Sequence, residues 1–136
     1  MPRKTDSSNP ADWVFLAESD LEVLRMAVRE ELGFHLCRSK LAEVLEKTIK
    51  GELIRLGWVL AKTHNLEDLA DALRNRQSDL MPLVKPLCIA LAAAYFSDRY
   101  PGFDLDDPDW PKIRDQLRQV EELLVLVKGR LNPPPS

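Results

Sequence analysis

Two lysines, Lys47 and Lys50, have the types and spacing to do chemistry. They lie three positions apart in a long apolar-periodic segment, so they share a face if that segment is a helix. Two ammonium groups on one face could hold the oxygens of a phosphate. The alternative is a solvated helix face, because each lysine has a glutamate four positions before it. Such pairs stabilise an exposed helix by about 0.2–0.5 kcal/mol each.

The two histidines of the chain are candidates for acid–base work, because imidazole ordinarily titrates near neutral pH. His64 immediately precedes Asn65, the predicted cap of a short helix. There it could move protons or, together with Thr63, organise the entry of that helix by hydrogen bonding. His35 opens the long helix among apolar neighbours, which favours a structural, semi-buried position.

The elements that must position these side chains are all predicted to be helices, and no segment has the pattern of a strand. Gly33 and Gly57 are predicted stops, and Pro86 predicts a kink or a restart. The expected fold is all-α, an up-and-down four-helix bundle with one additional short helix. The predicted helices span residues 10–32, 34–56, 66–76, 78–100 and 109–131, with caps at Asn9, Asn65 (where Asp68 would complete a capping box) and Asp107 or Asp109. Their inward stripes are Trp13, Ala17, Leu21, Leu24 and Val28, then Leu41, Leu45, Ile49, Leu53 and Leu56, and finally Ile113, Leu117, Val120, Leu124, Val127 and Leu131.

The length of 136 residues predicts one helical domain over residues 9–131, between a disordered arm at 1–8 and a Pro-rich tail at 132–136. The net charge of −3 excludes a uniformly basic nucleic-acid binder but leaves room for a local basic patch. Residues 38–62 carry six basic and three acidic side chains, whereas residues 98–109 carry five aspartates and one arginine. This polarity favours either a face for phosphates or opposite faces paired across a dimer.

Cysteine usage and hydropathy indicate the compartment. Cys37 and Cys88 both lie in apolar-periodic segments, which favours buried free thiols in a reducing environment. The cysteines and histidines do not have the spacing of a zinc site, and we expect neither a metal nor a cofactor. The first residues lack the apolar core of a signal peptide, and the longest apolar run is about half the length of a membrane span. We therefore expect a cytoplasmic protein with no membrane segment.

Three landmarks along the chain resemble those of the HEPN domains. Residues 45–50 read Leu-Glu-Lys-Thr-Ile-Lys, residues 63–66 read Thr-His-Asn-Leu, and residues 99–101 read Arg-Tyr-Pro. HEPN domains typically have A-x-E-K-x-x-K-A-x-L in their second helix, then T-H-x-L-x-x-L, and many have Arg-Tyr-Pro after the fourth. The resemblance covers residues 11–131. It implies a helical domain that pairs with itself and often acts beside a minimal nucleotidyltransferase, in a toxin–antitoxin pair or as its substrate-binding subunit.

The resemblance also bears on catalysis. Active HEPN ribonucleases carry an Arg-x(4–6)-His motif, but no histidine follows Arg99 here. Arg29 and His35 satisfy the spacing but straddle the first helix junction. The resemblance thus implies a binding module that is not an enzyme. A ribonuclease toxin that uses the displaced Arg29–His35 pair remains an alternative, as does a structural helical dimer that binds a protein partner.

On this resemblance the ligand is a nucleotide or nucleic acid such as RNA. Arg99 would grip a phosphate bidentately and Tyr100 would stack on a base. Alternatively, Arg99 pairs with a nearby aspartate and Tyr100 packs on the bundle. The predicted groove is lined by Lys47, Lys50, His64, Arg99 and Tyr100. We also expect a symmetric homodimer. The candidates for its interface are Leu123, Val125 and Leu126 of the last helix, together with Trp58 and Trp110.

Overall fold

The computed structural model describes residues 7–59, 63–94 and 107–131, and all regular structure within these ranges is helical. The five helices are α1 (Pro10–Arg29), α2 (Phe34–Arg55), α3 (Leu66–Asn75), α4 (Met81–Ala92) and α5 (Trp110–Leu131). The predicted all-α class is confirmed. Across these ranges, every helix is too short or too polar to cross a membrane.

Helix α2 is the centre of the bundle, and the other four helices all pack against it. Helices α1 and α5 also pack on each other, while α3 and α4 form a second layer. The three predicted apolar stripes lie in one shared core, with three exceptions. Trp13 is buried but lies outside that core, Leu56 is 37% exposed, and Leu131 is only partly buried. The largest fully buried side chains include Leu21, Leu41, Leu45, Ile49, Leu53, Leu69, Leu73, Leu91, Ile113 and Leu123.

The caps that were predicted from the sequence are present. The Asn9 side chain accepts from the backbone of Ala11 at 3.0 Å, and the Asn65 side chain accepts from Glu67 and Asp68. Asp109 accepts from the backbone of Lys112 at 3.1 Å and so caps α5. One detail of the prediction was wrong. Asp68 does not complete a capping box with Asn65, because the Asn65 backbone donates to the Thr63 hydroxyl at 3.2 Å instead.

Helices α1 and α2 end earlier than predicted. Helix α1 stops at Arg29 because the chain turns through two left-handed residues, Glu31 (φ 55°) and the expected Gly33 (φ 62°). The turn closes with a bond from the Leu32 backbone N–H to the Ala27 carbonyl at 2.9 Å. Helix α2 ends at Arg55, so that Leu56 becomes its cap residue.

Helix α4 differs most from its prediction. It begins at Met81 rather than at 78 or 79, after a turn in which the Ser78 hydroxyl accepts from the Leu80 backbone at 3.2 Å. The predicted restart at Pro86 does not occur, since this proline lies one turn after Pro82 and removes one hydrogen bond near the helix start. The helix ends at Ala92. The end predicted near residue 100 lies outside the described residues.

The chain is anchored already at Ser7, inside the segment predicted to be a disordered arm. Ser7 is 9% exposed, and its carbonyl accepts from the Trp13 indole at 2.7 Å. Its hydroxyl accepts from the Asn9 backbone and donates to Asp12. Residues 1–6 and the predicted tail at 132–136 lie outside the described residues.

Both cysteines are buried free thiols, as predicted. Cys37 donates to the Leu32 carbonyl at 3.1 Å, and burial raises the pKa of its thiol. Burial, with a smaller contribution from Glu67, raises the pKa of Cys88 to about 12. These thiols therefore belong to the packing of the bundle and stay protonated at neutral pH.

Candidate functional site

One carboxylate joins two of the landmarks found in the sequence. The Lys50 ammonium donates to Glu46 Oε2 at 2.9 Å, one turn apart on α2. The same oxygen lies 2.9 Å from Nδ1 of His64, which stands two residues before α3. Glu46 therefore connects the second helix to the loop that opens the third. We refer to Glu46, Lys50 and His64 as the Glu46 cluster.

Burial divides the Glu46 cluster into a closed part and an open part. Lys50 is 3% exposed and Glu46 is 7% exposed. The Lys50 ammonium also lies 5.1 Å from the centroid of the Trp13 ring on α1. The His64 side chain, by contrast, is 68% exposed. The cluster is thus a buried ion pair that carries an exposed imidazole, and not the solvated helix face considered as an alternative.

This arrangement fixes the direction of the imidazole. A carboxylate beside Nδ1 favours the tautomer or charge state of the imidazole that carries a proton on Nδ1. The other ring nitrogen, Nε2, then points away from Glu46. Nε2 can then exchange a proton or hydrogen-bond a ligand. Thr63 and Asn65, on either side, hold the loop through their hydrogen bonds at the start of α3. The structural and the chemical role considered for His64 are therefore compatible.

Lys47 belongs to a different ion pair. Its ammonium contacts the Asp20 carboxylate of α1 at 2.5 Å, and its side chain is 22% exposed. Glu43, the partner expected one turn earlier, pairs with Lys40 at 2.7 Å. A phosphate held by both predicted lysines would therefore have to displace Asp20 from Lys47 and Glu46 from Lys50.

The remaining candidates from the sequence are the pair Arg99 and Tyr100 and the pair Arg29 and His35. Arg99 and Tyr100 lie outside the described residues, so their convergence with the lysines stays a prediction. Arg29 forms an exposed ion pair with Glu30 at 3.3 Å. The His35 ring packs edge-on against Phe34, with 5.2 Å between the ring centroids.

A second charged network was not expected from the sequence. Glu52 is 1% exposed and accepts from Arg55 at 2.6 Å and from Arg130. Arg130 in turn binds both oxygens of Asp79, at 2.9 and 2.6 Å. The Arg130 guanidinium lowers the pKa of Asp79, while hydrogen bonds to the carboxylates raise the pKa of both arginines. We call these four residues the Glu52 network, and it ties α2, α5 and the entry of α4 together.

The surface carries a groove between α1 and α5 that is lined by arginines and has a volume of about 360 Å³. Its floor is Val28 and Leu117. Each arginine has a carboxylate partner, but of those partners only Glu121 lines the groove itself. The ion pairs are Arg25–Glu121, Arg29–Glu30, Arg114–Glu31 and Arg118–Asp115. In the part of the chain that the structure describes, histidines, cysteines and carboxylates do not gather into a set that could hold a metal.

Comparison with known proteins identifies the family to which this chain belongs. The model of the HEPN domain family matches residues 11–130, and the chain belongs to that family. Among solved structures, the crystal structure of an archaeal HEPN homologue is similar, with a TM-score of 0.66 and 21% sequence identity. The match covers 91% of this chain and 98% of that one, and it supports the helical fold. A search of curated proteins found no match. The resemblance inferred from the sequence landmarks is thus confirmed at the level of the family.

Proposed function

We propose that this chain is a HEPN-type binding module that recognises the phosphate of a nucleotide or RNA and does not cut it. The observation that carries the proposal is the shared oxygen of Glu46. It holds the exposed imidazole of His64 in a fixed direction and is itself neutralised by the buried Lys50. A protonated His64 donates from Nδ1 to Glu46 and from Nε2 to a phosphate oxygen.

We propose a binding function and not cleavage, because cutting RNA without a metal needs both an acid and a base at the phosphate. In the Glu46 cluster, His64 is the exposed titratable group, while Lys50 is buried in its ion pair. The sequence supplies no histidine after Arg99 for the ribonuclease motif. We propose that Arg99 and Tyr100 complete the groove beside His64, and that Lys47 and Lys50 act mainly through their charge.

The test is a titration of fluorescently labelled short RNA and of ATP, followed by anisotropy and calorimetry. Affinity should be higher near pH 5.5 than near pH 8.5, because only a protonated imidazole donates from both nitrogens. It should also fall as salt rises, because the contacts are between charges. His64→Ala should remove the pH dependence. His35→Ala is the matched control and should keep it.

Three outcomes would contradict this proposal. The first is an absence of binding by either probe at low salt. The second is a His64→Ala variant that binds as the wild type does at both pH values. The third is cleavage of the RNA during the titration, seen on a denaturing gel, which would favour the ribonuclease alternative.

We further propose two partners, a second copy of this chain and a minimal nucleotidyltransferase for which this module binds substrate or acts as the other half of a toxin–antitoxin pair. The resemblance to HEPN domains supports both. The neighbouring reading frame is the direct check of the second. A nucleotidyltransferase encoded there should co-purify with this chain, and two separate peaks on mixing would count against the pair.

A further inference from the structure

Trp13 on α1 makes two polar contacts that a side chain of the apolar core does not make. Unlike the other members of its predicted stripe, it lies outside the shared core, although it is only 7% exposed. Its indole N–H donates to the Ser7 carbonyl at 2.7 Å, and the centroid of its ring lies 5.1 Å from the Lys50 ammonium. Trp13 is therefore buried between the segment that precedes α1 and a cation of α2.

The indole is held in place from the side of Ser7. The Ser7 hydroxyl accepts from the Asn9 backbone at 2.9 Å and donates to Asp12 at 2.5 Å. The carbonyl to which the indole donates is thus tied to the first turn of α1. Tryptophan offers the strongest aromatic face for a cation, and the contact strengthens where water is excluded. A fixed indole therefore gives the Lys50 ammonium a fixed position.

The contacts continue from Lys50 to His64. The Lys50 ammonium and Nδ1 of His64 share Glu46 Oε2, each at 2.9 Å. A lysine side chain is long and flexible, and it turns its ammonium toward water unless other contacts keep it inside. A buried carboxylate follows the ammonium, because separating a buried ion pair leaves an uncompensated charge. The position of Oε2 beside the imidazole therefore depends on what holds the ammonium.

We infer that Trp13 is a positioning residue of the His64 site and acts through Lys50 and Glu46. The face of Trp13 keeps the ammonium inside the bundle, and the ammonium keeps Glu46 Oε2 beside Nδ1. Glu46 then directs Nε2 of the imidazole toward a ligand. The inference rests on the proposed function only for what His64 binds, because the imidazole is oriented without a ligand. It extends the site across the bundle, from the loop before α3 to the first turn of α1.

The test is the tautomer of His64, read from the ¹⁵N shifts of its ring nitrogens at about pH 8.5, where an imidazole is ordinarily neutral. The signals that His64→Ala removes identify it among the two histidines. The wild type should carry its proton on Nδ1, whereas an imidazole without such a partner prefers Nε2. Trp13→Met, which fills space without an aromatic face, should return His64 to the Nε2 tautomer. Trp13→Phe keeps a face for Lys50 and should retain the proton on Nδ1.

Binding of the labelled RNA at about pH 5.5, where an imidazole is ordinarily protonated, is the second measurement. Trp13→Met should weaken it about tenfold, the loss expected when a charge-assisted hydrogen bond is no longer formed. Trp13→Phe should restore most of the affinity. Leu21→Val is the matched control for lost packing on α1, since Leu21 is 1% exposed in the core. It should leave the tautomer and the affinity as in the wild type.

A further measurement serves if Trp13→Met does not fold. Incorporation of ring-fluorinated tryptophan weakens the aromatic face at nearly constant shape, and it should shift the tautomer and the affinity in the same direction as Trp13→Met. The equally labelled Trp13→Phe variant is the control for the other two tryptophans.

The inference is overturned by a folded Trp13→Met variant, or a fluorinated protein, that keeps the tautomer and the affinity of the wild type. An equal loss in Leu21→Val also overturns it, because the effect would then be one of packing. A wild type that carries the proton on Nε2 does so as well. If Trp13→Met changes the tautomer while the wild type binds no RNA, the inference is upheld and the proposed function alone fails. Binding that depends on His64 but not on Trp13 keeps the proposed function and rejects the inference.

Discussion

In the Glu46 cluster, the burial of Lys50 determines how much each residue contributes to the stability of the fold. Lys50 is held by Glu46 and by the face of Trp13, out of contact with solvent. Removing one partner of a buried ion pair leaves an uncompensated charge, whereas replacing both by apolar groups is often neutral. His64 contributes less to folding, because its side chain is mostly exposed.

Glu46→Leu should therefore lower the free energy of unfolding by about 3–5 kcal/mol, since it strands the Lys50 ammonium in the core. His64→Ala should change it by no more than about 0.5 kcal/mol. The double variant Glu46→Leu with Lys50→Met should recover most of the loss. Urea unfolding of the three variants measures these differences. A Glu46→Leu variant as stable as His64→Ala would show that Lys50 is not dependent on this carboxylate.

The sequence indicated some of these contacts and concealed others. The Glu46–Lys50 pair was visible because its members are four residues apart on one helix. His64 is 18 positions from Glu46, Asp20 is 27 positions from Lys47, and Arg130 is 78 positions from Glu52. Contacts at such separations depend on how the helices are placed, which side-chain spacing along one helix does not specify. The family landmarks alone pointed to His64 and the lysines as neighbours.

At the scale of elements, helix α2 is the one whose burial was most underestimated. Periodicity predicted a single stripe that included Leu41 and Leu53, but 14 of its 22 residues are buried. A helix enclosed on most sides packs small and polar residues such as Ser39, Thr48 and Gly51 inward, and these carry no apolar signal. The buried stripe of the amphipathic helix α1, which has one exposed side, was predicted correctly, although the helix ends earlier than predicted.

Gly51→Ala should stabilise the protein by about 0.5–1 kcal/mol, because alanine is the better helix former and its methyl group has room. An added Cβ would lie 3.4 Å from Val14 Cγ2 and 3.6 Å from the Pro10 carbonyl, which are ordinary contacts. Gly129→Ala is the control, since nothing lies within 4 Å of its position. Thermal unfolding compares them. Destabilisation by Gly51→Ala alone would mean that the contact between α1 and α2 is tighter at this position than these distances indicate.

The Glu52 network makes the contact of α2, α5 and the α4 entry dependent on pH. Because Arg130 lowers the pKa of Asp79, this carboxylate stabilises the fold above its ordinary pKa. That contribution is lost as the pH falls through the lowered value. Arg130→Leu should return the pKa of Asp79 toward its usual range, as carboxyl ¹³C NMR would show. The same substitution should lower the free energy of unfolding by about 1.5–3 kcal/mol near pH 7, because the bonds from Arg130 to Glu52 are lost. An unchanged Asp79 titration would disprove the pairing in solution.

At the scale of the whole molecule, the exposed apolar side chains point to where a second copy would pack. Of the candidates taken from the sequence, Leu123 needs correction, because it is 1% exposed and belongs to the core. Trp58 and Trp110 are partly buried against the same core. Val125 and Leu126 are exposed at 70% and 44%. An apolar groove lies between α1 and α2, where Val23, Leu32 and Leu36 are 71%, 62% and 72% exposed.

Light scattering at micromolar concentration should give twice the 15.5 kDa mass of one chain if the proposed homodimer forms. We expect Val23→Glu to reduce this to a single chain, because a charge in an apolar interface is costly to bury. Val125→Glu, an equally exposed valine on α5, is the matched control and should remain dimeric. The opposite pattern would assign the interface to α5, and a monomeric wild type would rule out the dimer.

The central position of α2 also predicts the order in which the helices unfold. Amide protons in α2 should exchange with deuterium only through complete unfolding, because every other helix must separate from it first. Among the described helices, α3 packs on α2 and α4 alone, and it should exchange through a smaller opening. A ligand at His64 would then slow exchange at the start of α3 far more than in α2. On this expectation, the Glu46 cluster joins α2, which unfolds last, to the start of α3, which unfolds early. Mass spectrometry of peptides from the two helices would measure their separate exchange rates.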